Sequence, residues 1–176
     1  MLVDQACNGV SMIPGIILSL IWMRITPWPL ACAMAAYILT CVCSIAYHAN
    51  FAINNEFNPN YLRLDLMGQQ VGLCVNMYYS MLGKRSSFII LPAACICLIA
   101  DLNREKERNL AFLASGVNIL LASCFSLSFV LQWLFAFLCW FIGAKYGLNS
   151  GHIAWHLMCH TILHQYFKAI VSYHGL

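Results

Sequence analysis

Long apolar stretches, separated by short polar or turn-forming segments, make up most of this 176-residue chain. A helix that crosses the hydrocarbon core of a bilayer needs about 20 residues, and the breaks at Pro, Gly and Asn predict where such helices end. The pattern predicts seven membrane spans, at about 9–23, 28–50, 62–82, 86–101, 109–125, 128–145 and 150–172. These stretches are apolar on both faces, which excludes the alternation of a spanning β-barrel. We therefore predict an all-α integral membrane protein whose single domain, residues 1–176, is a compact seven-helix bundle with short loops.

Two parts of the predicted bundle depend on further observations: the boundary between the fifth and sixth spans, and the retention of the first span. No charge and no Gly or Pro separates the fifth span from the sixth, so a merged or re-entrant pair is an alternative there. Two spans are preferred because the stretch from Leu110 to Tyr146 is too long for one crossing. The first apolar stretch follows no positively charged segment and precedes no small-residue cleavage site, so it is expected to be retained as a span.

Composition supports a membrane protein and excludes one class of function. Apolar residues make up 62% of the chain and charged residues only 9%, whereas soluble domains carry about a quarter charged residues. The net charge is +3 without a dense basic run, which rules out nucleic-acid binding as the main function. Lysine and arginine are balanced between the two sides, so they do not determine the orientation. The ten cysteines lie mostly within apolar runs and are interpreted as packing residues.

Four ionisable residues within the predicted spans stand out, because an unpaired charge at membrane depth is costly and therefore indicates function. His48 lies near the end of the second span, Asp65 near the start of the third, and His152 and His156 near the start of the seventh. Because successive spans alternate in direction, these three positions lie at the same membrane face. We therefore expect three imidazoles and one carboxylate to meet at one depth.

The expected chemistry of this cluster is metal binding. His152 and His156 are four residues apart, which places both rings on one face of a helix. With His48 they would form a three-histidine set with an open fourth position, the arrangement of catalytic zinc. Asp65 would orient or deprotonate a water molecule on the metal, or bind the metal directly. Ser44, one turn before His48, would hydrogen-bond to Asp65 or the water, or polarise a substrate carbonyl.

The same residues are compatible with other interpretations. Each histidine by itself could be an interhelical hydrogen-bond partner, and Asp65 could form an ion pair with Arg63 at the membrane interface. Pairs of imidazoles on different helices could also bind haem. His160 and His164 continue the four-residue series but rotate away from His152 around the helix, so we interpret both as interior polar contacts.

The segments Ser44-Ile-Ala-Tyr-His48 and His152-Ile-Ala-Trp-His156, with Asp65 between them, resemble a known signature. It is the SxxxH, Asp and HxxxH pattern of the seven-span CREST superfamily, which includes alkaline ceramidases, progestin and adipoQ receptors, GPI-remodelling lipases and myomaker-type proteins. Residues 36–40, 47–49 and 65–68 look most like the myomaker-type branch, and the spacing from His48 to Asp65 is similar to that of the adipoQ receptors. The resemblance implies zinc held by His48, His152 and His156, with Asp65 and Ser44 beside the metal.

Two functions from different classes follow. The first is a zinc-dependent intramembrane hydrolase of a lipid amide or ester, ceramidase-like or phospholipase-like, acting through a zinc-activated water. The alternative is a non-catalytic, zinc-stapled membrane protein, such as a myomaker-type fusion protein, a receptor or a complex-assembly component. Both predict a multi-pass membrane protein that contacts a membrane lipid as substrate or ligand. A homodimer or a membrane-protein partner is compatible with either.

Overall fold

The computed structural model describes residues 2–26, 28–56, 58–65 and 127–174, and within these ranges the chain is helical without strands. The described helices are α1 (Leu2–Val10), α2 (Ile13–Ile25), α3 (Trp28–Asn54), α4 (Leu127–Tyr146) and α5 (Asn149–His174). Residues 59–65 are also helical. The prediction of an all-α protein is confirmed for this part of the chain.

Three of the described helices coincide with predicted spans. Helix α3 extends the predicted span 28–50 by one turn, and α4 and α5 match the spans at 128–145 and 150–172 to within two residues at each end. The helical residues 59–65 overlap the start of the third predicted span. The rest of the third span and the fourth and fifth spans, at 86–101 and 109–125, lie outside the described residues.

The first predicted span, 9–23, differs from the structure, where two helices cover this region and the first of them begins at Leu2. Helix α1 ends at Val10 and α2 starts at Ile13, with Pro14 in the first turn of α2. A proline in this position has no N–H to donate to the preceding turn, so the helix breaks before it. The Met12 N–H bonds to the Gly9 carbonyl at 3.1 Å, a tightened last turn. The break directs the Ser11 carbonyl and hydroxyl toward the C-terminal helix.

Two stretches are long and apolar enough to cross a membrane. They are Leu2–Ile25, 24 residues formed by α1 and α2 together, and Met34–Asn54, 21 residues within α3. Helix α4 contains a shorter apolar stretch, Val130–Gly143.

The described helices bury many polar side chains beside a small apolar core, and they expose many large apolar side chains. The buried polar residues are Asn8, Ser11, Ser19, Thr40, Ser44, His48, Asp65, His156 and His160. On α4, by contrast, Leu131, Phe135, Leu138 and Ile142 repeat at helical spacing and are all exposed. Buried polar groups beside an exposed apolar row are unusual for a helix in water and are compatible with a helix bundle in lipid.

The helices pack in two groups that share α5. Helices α1 and α2 contact both α3 and α5, while α4 packs along α5. The turn between α4 and α5 contains Gly147 at φ +66°, a left-handed conformation that glycine adopts without strain. At this hairpin Gly143 and Gly151 face each other so closely that a Cβ on Gly151 would lie 2.7 Å from the Gly143 Cα. Helix α5 is thus held between α4 on one side and the N-terminal helices on the other.

Candidate metal centre

Helices α3 and α5 bring three histidines together inside the bundle. His48 lies on the last turns of α3 and is 1% exposed, and His152 and His156 lie on successive turns of α5. One nitrogen from each ring lies within 4.8 Å of the other two. The His152 and His156 Nε2 atoms are 3.1 Å apart, and the His48 ring centroid is 5.1 Å from that of His152. The structure therefore brings the three predicted metal ligands to one point.

The hydrogen bond made by His48 determines which of its nitrogens can bind a metal. His48 Nδ1 lies 2.6 Å from the side-chain oxygen of Gln5 on α1. An amide oxygen only accepts hydrogen bonds, so Nδ1 carries the proton and Nε2 carries the lone pair. Nε2 is buried, and no described residue hydrogen-bonds to it. A buried imidazole lone pair without a partner is unfavourable by itself but is what a metal ion requires.

The same reasoning applies to His156. Its Nδ1 is 2.7 Å from the Ser11 hydroxyl, which donates its own proton to the Asn8 carbonyl at 2.6 Å. The hydroxyl must therefore accept from His156, whose Nδ1 is protonated and whose Nε2 lone pair faces His152. Two of the three rings thus present Nε2 lone pairs to the shared point.

The separation of the two α5 ligands fits a small transition-metal ion. Zinc binds imidazole nitrogen at about 2.0–2.1 Å, and two such ligands of a tetrahedral ion are about 3.3 Å apart. The 3.1 Å separation of the two α5 nitrogens is close to this value. Imidazole ligands also suit copper, iron and nickel, so the donor set indicates a metal without selecting one. The cluster is a site that could hold a metal ion.

Ser44 and Asp65 lie close to the α3 part of this cluster. Ser44 is 1% exposed, one turn before His48, and no described residue hydrogen-bonds to its hydroxyl. Asp65 is 6% exposed at the end of the helical residues 59–65. It lies near Cys43 and Tyr47 of α3, which neighbour Ser44 and His48 in the sequence. Both predicted residues are therefore buried near the end of α3 that carries His48.

His160 and His164 are interior polar contacts, as predicted. His160 Nε2 donates to the Ser11 carbonyl at 2.9 Å, and its Nδ1 accepts from the Tyr37 hydroxyl at 2.6 Å. His164 Nδ1 accepts from the Trp22 indole N–H at 2.8 Å. The hydrogen-bonded nitrogens of both rings face protein groups, so neither ring joins the metal cluster.

The bond between Tyr37 and His160 gives a test of stability that spares the metal cluster. Tyr37→Phe keeps the ring but leaves the buried His160 Nδ1 without a donor, which should cost about 1–3 kcal/mol. Thermal melting in detergent should show a lower Tm with unchanged metal content. Tyr146→Phe, which removes a hydroxyl from an exposed tyrosine, is the matched control and should melt as wild type. Equal Tm values for the two variants would contradict the assigned role of the bond.

Sequence reasoning missed the two residues that support the ligands, Gln5 and Ser11. A signal was present, because Gln5, Asn8 and Ser11 recur at every third position around the start of the first predicted span, a spacing that in a helix places neighbouring members on one side.

The site therefore consists of three converging imidazole nitrogens from α3 and α5, two of them oriented by groups from the N-terminal helices, with a buried hydroxyl and carboxyl group nearby. Comparison of the chain with protein families, with curated proteins and with solved structures finds no match.

Proposed function

We propose that this chain is a multi-pass membrane protein with seven spans and a member of the CREST superfamily, closest to its myomaker-type branch. Two described stretches are long and apolar enough to cross a bilayer. The buried polar and exposed apolar side chains of the described helices support the same proposal. The histidines that carry the resemblance, His48, His152 and His156, are the ones that cluster.

The metal that we propose for the cluster is zinc. The donor set has three imidazoles and no described thiolate, and it comes from two helices, α3 and α5. Three protein ligands with a remaining open position are characteristic of catalytic zinc, whereas structural zinc takes four. The observation that carries the proposal is the buried His48 Nε2, whose lone pair has no hydrogen-bond partner among the described residues.

The reaction that suits such a site inside a membrane is hydrolysis of a lipid amide or ester. Zinc, when bound, supplies a Lewis acid that polarises a carbonyl and makes an attacking water more acidic. Asp65 would take the proton from the water and return it to the leaving amine or alcohol. The Ser44 hydroxyl would donate a hydrogen bond to the carbonyl oxygen as negative charge develops there. Burial of both groups keeps bulk water from competing for these hydrogen bonds.

Lipid turnover by the purified protein tests this function. Zinc-loaded protein in detergent is incubated with ceramides and glycerophospholipids, and released fatty acid is measured by mass spectrometry. Asp65→Asn should abolish release because it removes the base without changing the size of the side chain. Ser44→Ala should slow release about 100-fold, the usual loss for one oxyanion donor.

The control for this assay replaces a histidine of α5 that lies outside the cluster. His164→Ala makes this change and should retain turnover. Full activity in Asp65→Asn would refute the role of Asp65 as the base. Absence of release from any lipid, by protein that contains zinc, would refute the hydrolase.

A non-catalytic zinc staple is the second candidate, and one observation favours it. The three ligands join α3 to α5, which are distant in the sequence, so a bound ion would cross-link these two helices. Metal binding would then contribute directly to the free energy of folding. The expected result is a large fall in Tm on chelation without turnover of any lipid. Unchanged melting after zinc removal would contradict the staple.

A further inference from the structure

We propose that Gln5 and Ser11 are positioning residues for the metal centre: they hold His48 and His156 in the orientation and tautomer that present Nε2 to the ion. This inference rests on the proposed metal binding and adds a third chain segment to the site. Both residues belong to the N-terminal part of the chain, Gln5 to α1 and Ser11 to the turn between α1 and α2.

The partner group in each of the two contacts favours one tautomer of the histidine. The Gln5 side-chain oxygen can only accept, so it selects His48 with its proton on Nδ1. The Ser11 hydroxyl could in principle donate or accept, but its proton is used by the Asn8 carbonyl. It therefore accepts from His156 Nδ1 and selects the same tautomer. In the other tautomer of either ring, the Nδ1 lone pair would face an acceptor oxygen, and this buried hydrogen bond would not form.

Backbone packing holds Gln5 at the correct distance. Gly9, one turn after Gln5 on α1, faces the His48 side chain, and a Cβ on Gly9 would lie 3.5 Å from the His48 Cβ. Helix α1 therefore runs close enough to α3 for the Gln5 side chain to reach the ring. The 2.6 Å bond is short, and the His48 ring is almost completely buried.

Ser11 is fixed from both sides. The break before Pro14 leaves its carbonyl facing α5, where His160 Nε2 donates to it at 2.9 Å. Its hydroxyl meets His156 one turn earlier on the same helix. A single residue thus binds two consecutive turns of α5 and holds the His156 ring by its non-ligating nitrogen. Such contacts to the second nitrogen of a ligating histidine usually raise metal affinity 10–100-fold.

Metal affinity measures this role directly. Zinc dissociation constants are determined by competition with a chromophoric chelator on full-length protein in detergent. Gln5→Leu, which keeps the size but loses the acceptor, should weaken binding about 10–100-fold. Gln5→Glu retains an oxygen acceptor and should stay within about 3-fold of wild type, as should Ser11→Thr, whereas Ser11→Ala should weaken binding about 10-fold.

A matched control separates this role from a general loss of polarity. Gln132→Leu makes the same chemical change on α4, where the glutamine bonds only to the exposed Ser128 among the described residues, and should leave affinity unchanged.

The second readout is the pair of imidazole ¹⁵N chemical shifts of His48 in metal-free protein. Wild type should show one tautomer with Nδ1 protonated, and Gln5→Leu should show a mixture. A merely structural contact would change the Tm without changing the tautomer.

The outcomes distinguish this inference from the proposed function. If wild type binds zinc and Gln5→Leu and Ser11→Ala bind it equally well, the positioning role is wrong and the metal site stands. If wild type binds no metal, the proposed function fails, and the ¹⁵N shifts still decide whether Gln5 fixes the His48 ring. A single His48 tautomer that persists in Gln5→Leu would overturn the inference in either case.

Discussion

Replacing His48 with alanine should reduce bound zinc from about one ion per chain to none, and the double replacement His152→Ala and His156→Ala should do the same. The reason is the small number of ligands. Only three imidazoles meet at the site among the described residues, and loss of one leaves two nitrogens, too few to retain zinc through purification. Mass spectrometry of protein purified in detergent measures the metal content directly.

The control for this experiment lies on the same helix. His164→Ala removes an imidazole that accepts a hydrogen bond from Trp22, and it should leave the metal content at about one ion per chain. Metal retained in the His48→Ala protein would show that the three histidines are not its ligands. A folded wild-type protein without metal would reduce the cluster to interhelical contacts.

Gly151→Ala should destabilise the fold by about 1–3 kcal/mol or more, a large effect for one methyl group. The added Cβ would lie 2.5 Å from the Cys139 carbonyl oxygen and 2.7 Å from the Gly143 Cα. Both atoms belong to the backbone of α4, so no side chain can rotate to make room, and the two helices must separate. His152 follows directly on α5, so the separation should also weaken metal binding.

Thermal melting in detergent, with and without added zinc, checks this prediction. Ser150→Ala is the matched control, because it places alanine at the neighbouring exposed position of the same helix turn. Its Tm should stay near the wild-type value. If Gly151→Ala and Ser150→Ala melt alike, the close approach of α4 and α5 is not a feature of the folded protein.

The sequence allowed the ligand set to be predicted because two simple regularities act together. A spacing of four residues places His152 and His156 on one helix face, and alternating span direction brings the end of the second span to the start of the seventh. Both arguments use only helix geometry and the assumption of a bundle. In the structure, His152 and His156 cluster with His48 as these two arguments predict.

The support for the ligands could not be predicted in the same way. The Ser11 contact to His156 joins residues 145 positions apart and depends on how α1 ends. Pro14 is visible in the sequence, but within a long apolar stretch it is compatible with a kinked single helix as well as with two helices. The contact of Gln5 with His48 depends in addition on the close approach of Gly9 to α3, which only the packed structure defines.

The position of the ligands along the chain has a consequence for biosynthesis. His48 and its partner Gln5 are made early, whereas His152 and His156 emerge about a hundred residues later, with the last described helix. Until then His48 lacks its companions, and the nascent protein holds an incomplete pocket. For the proposed metal site, all three ligands are present only after α5 has been translated and inserted, so an ion could bind with full affinity only then. A chain that stops before α5 has His48 but lacks His152 and His156, the other two proposed ligands.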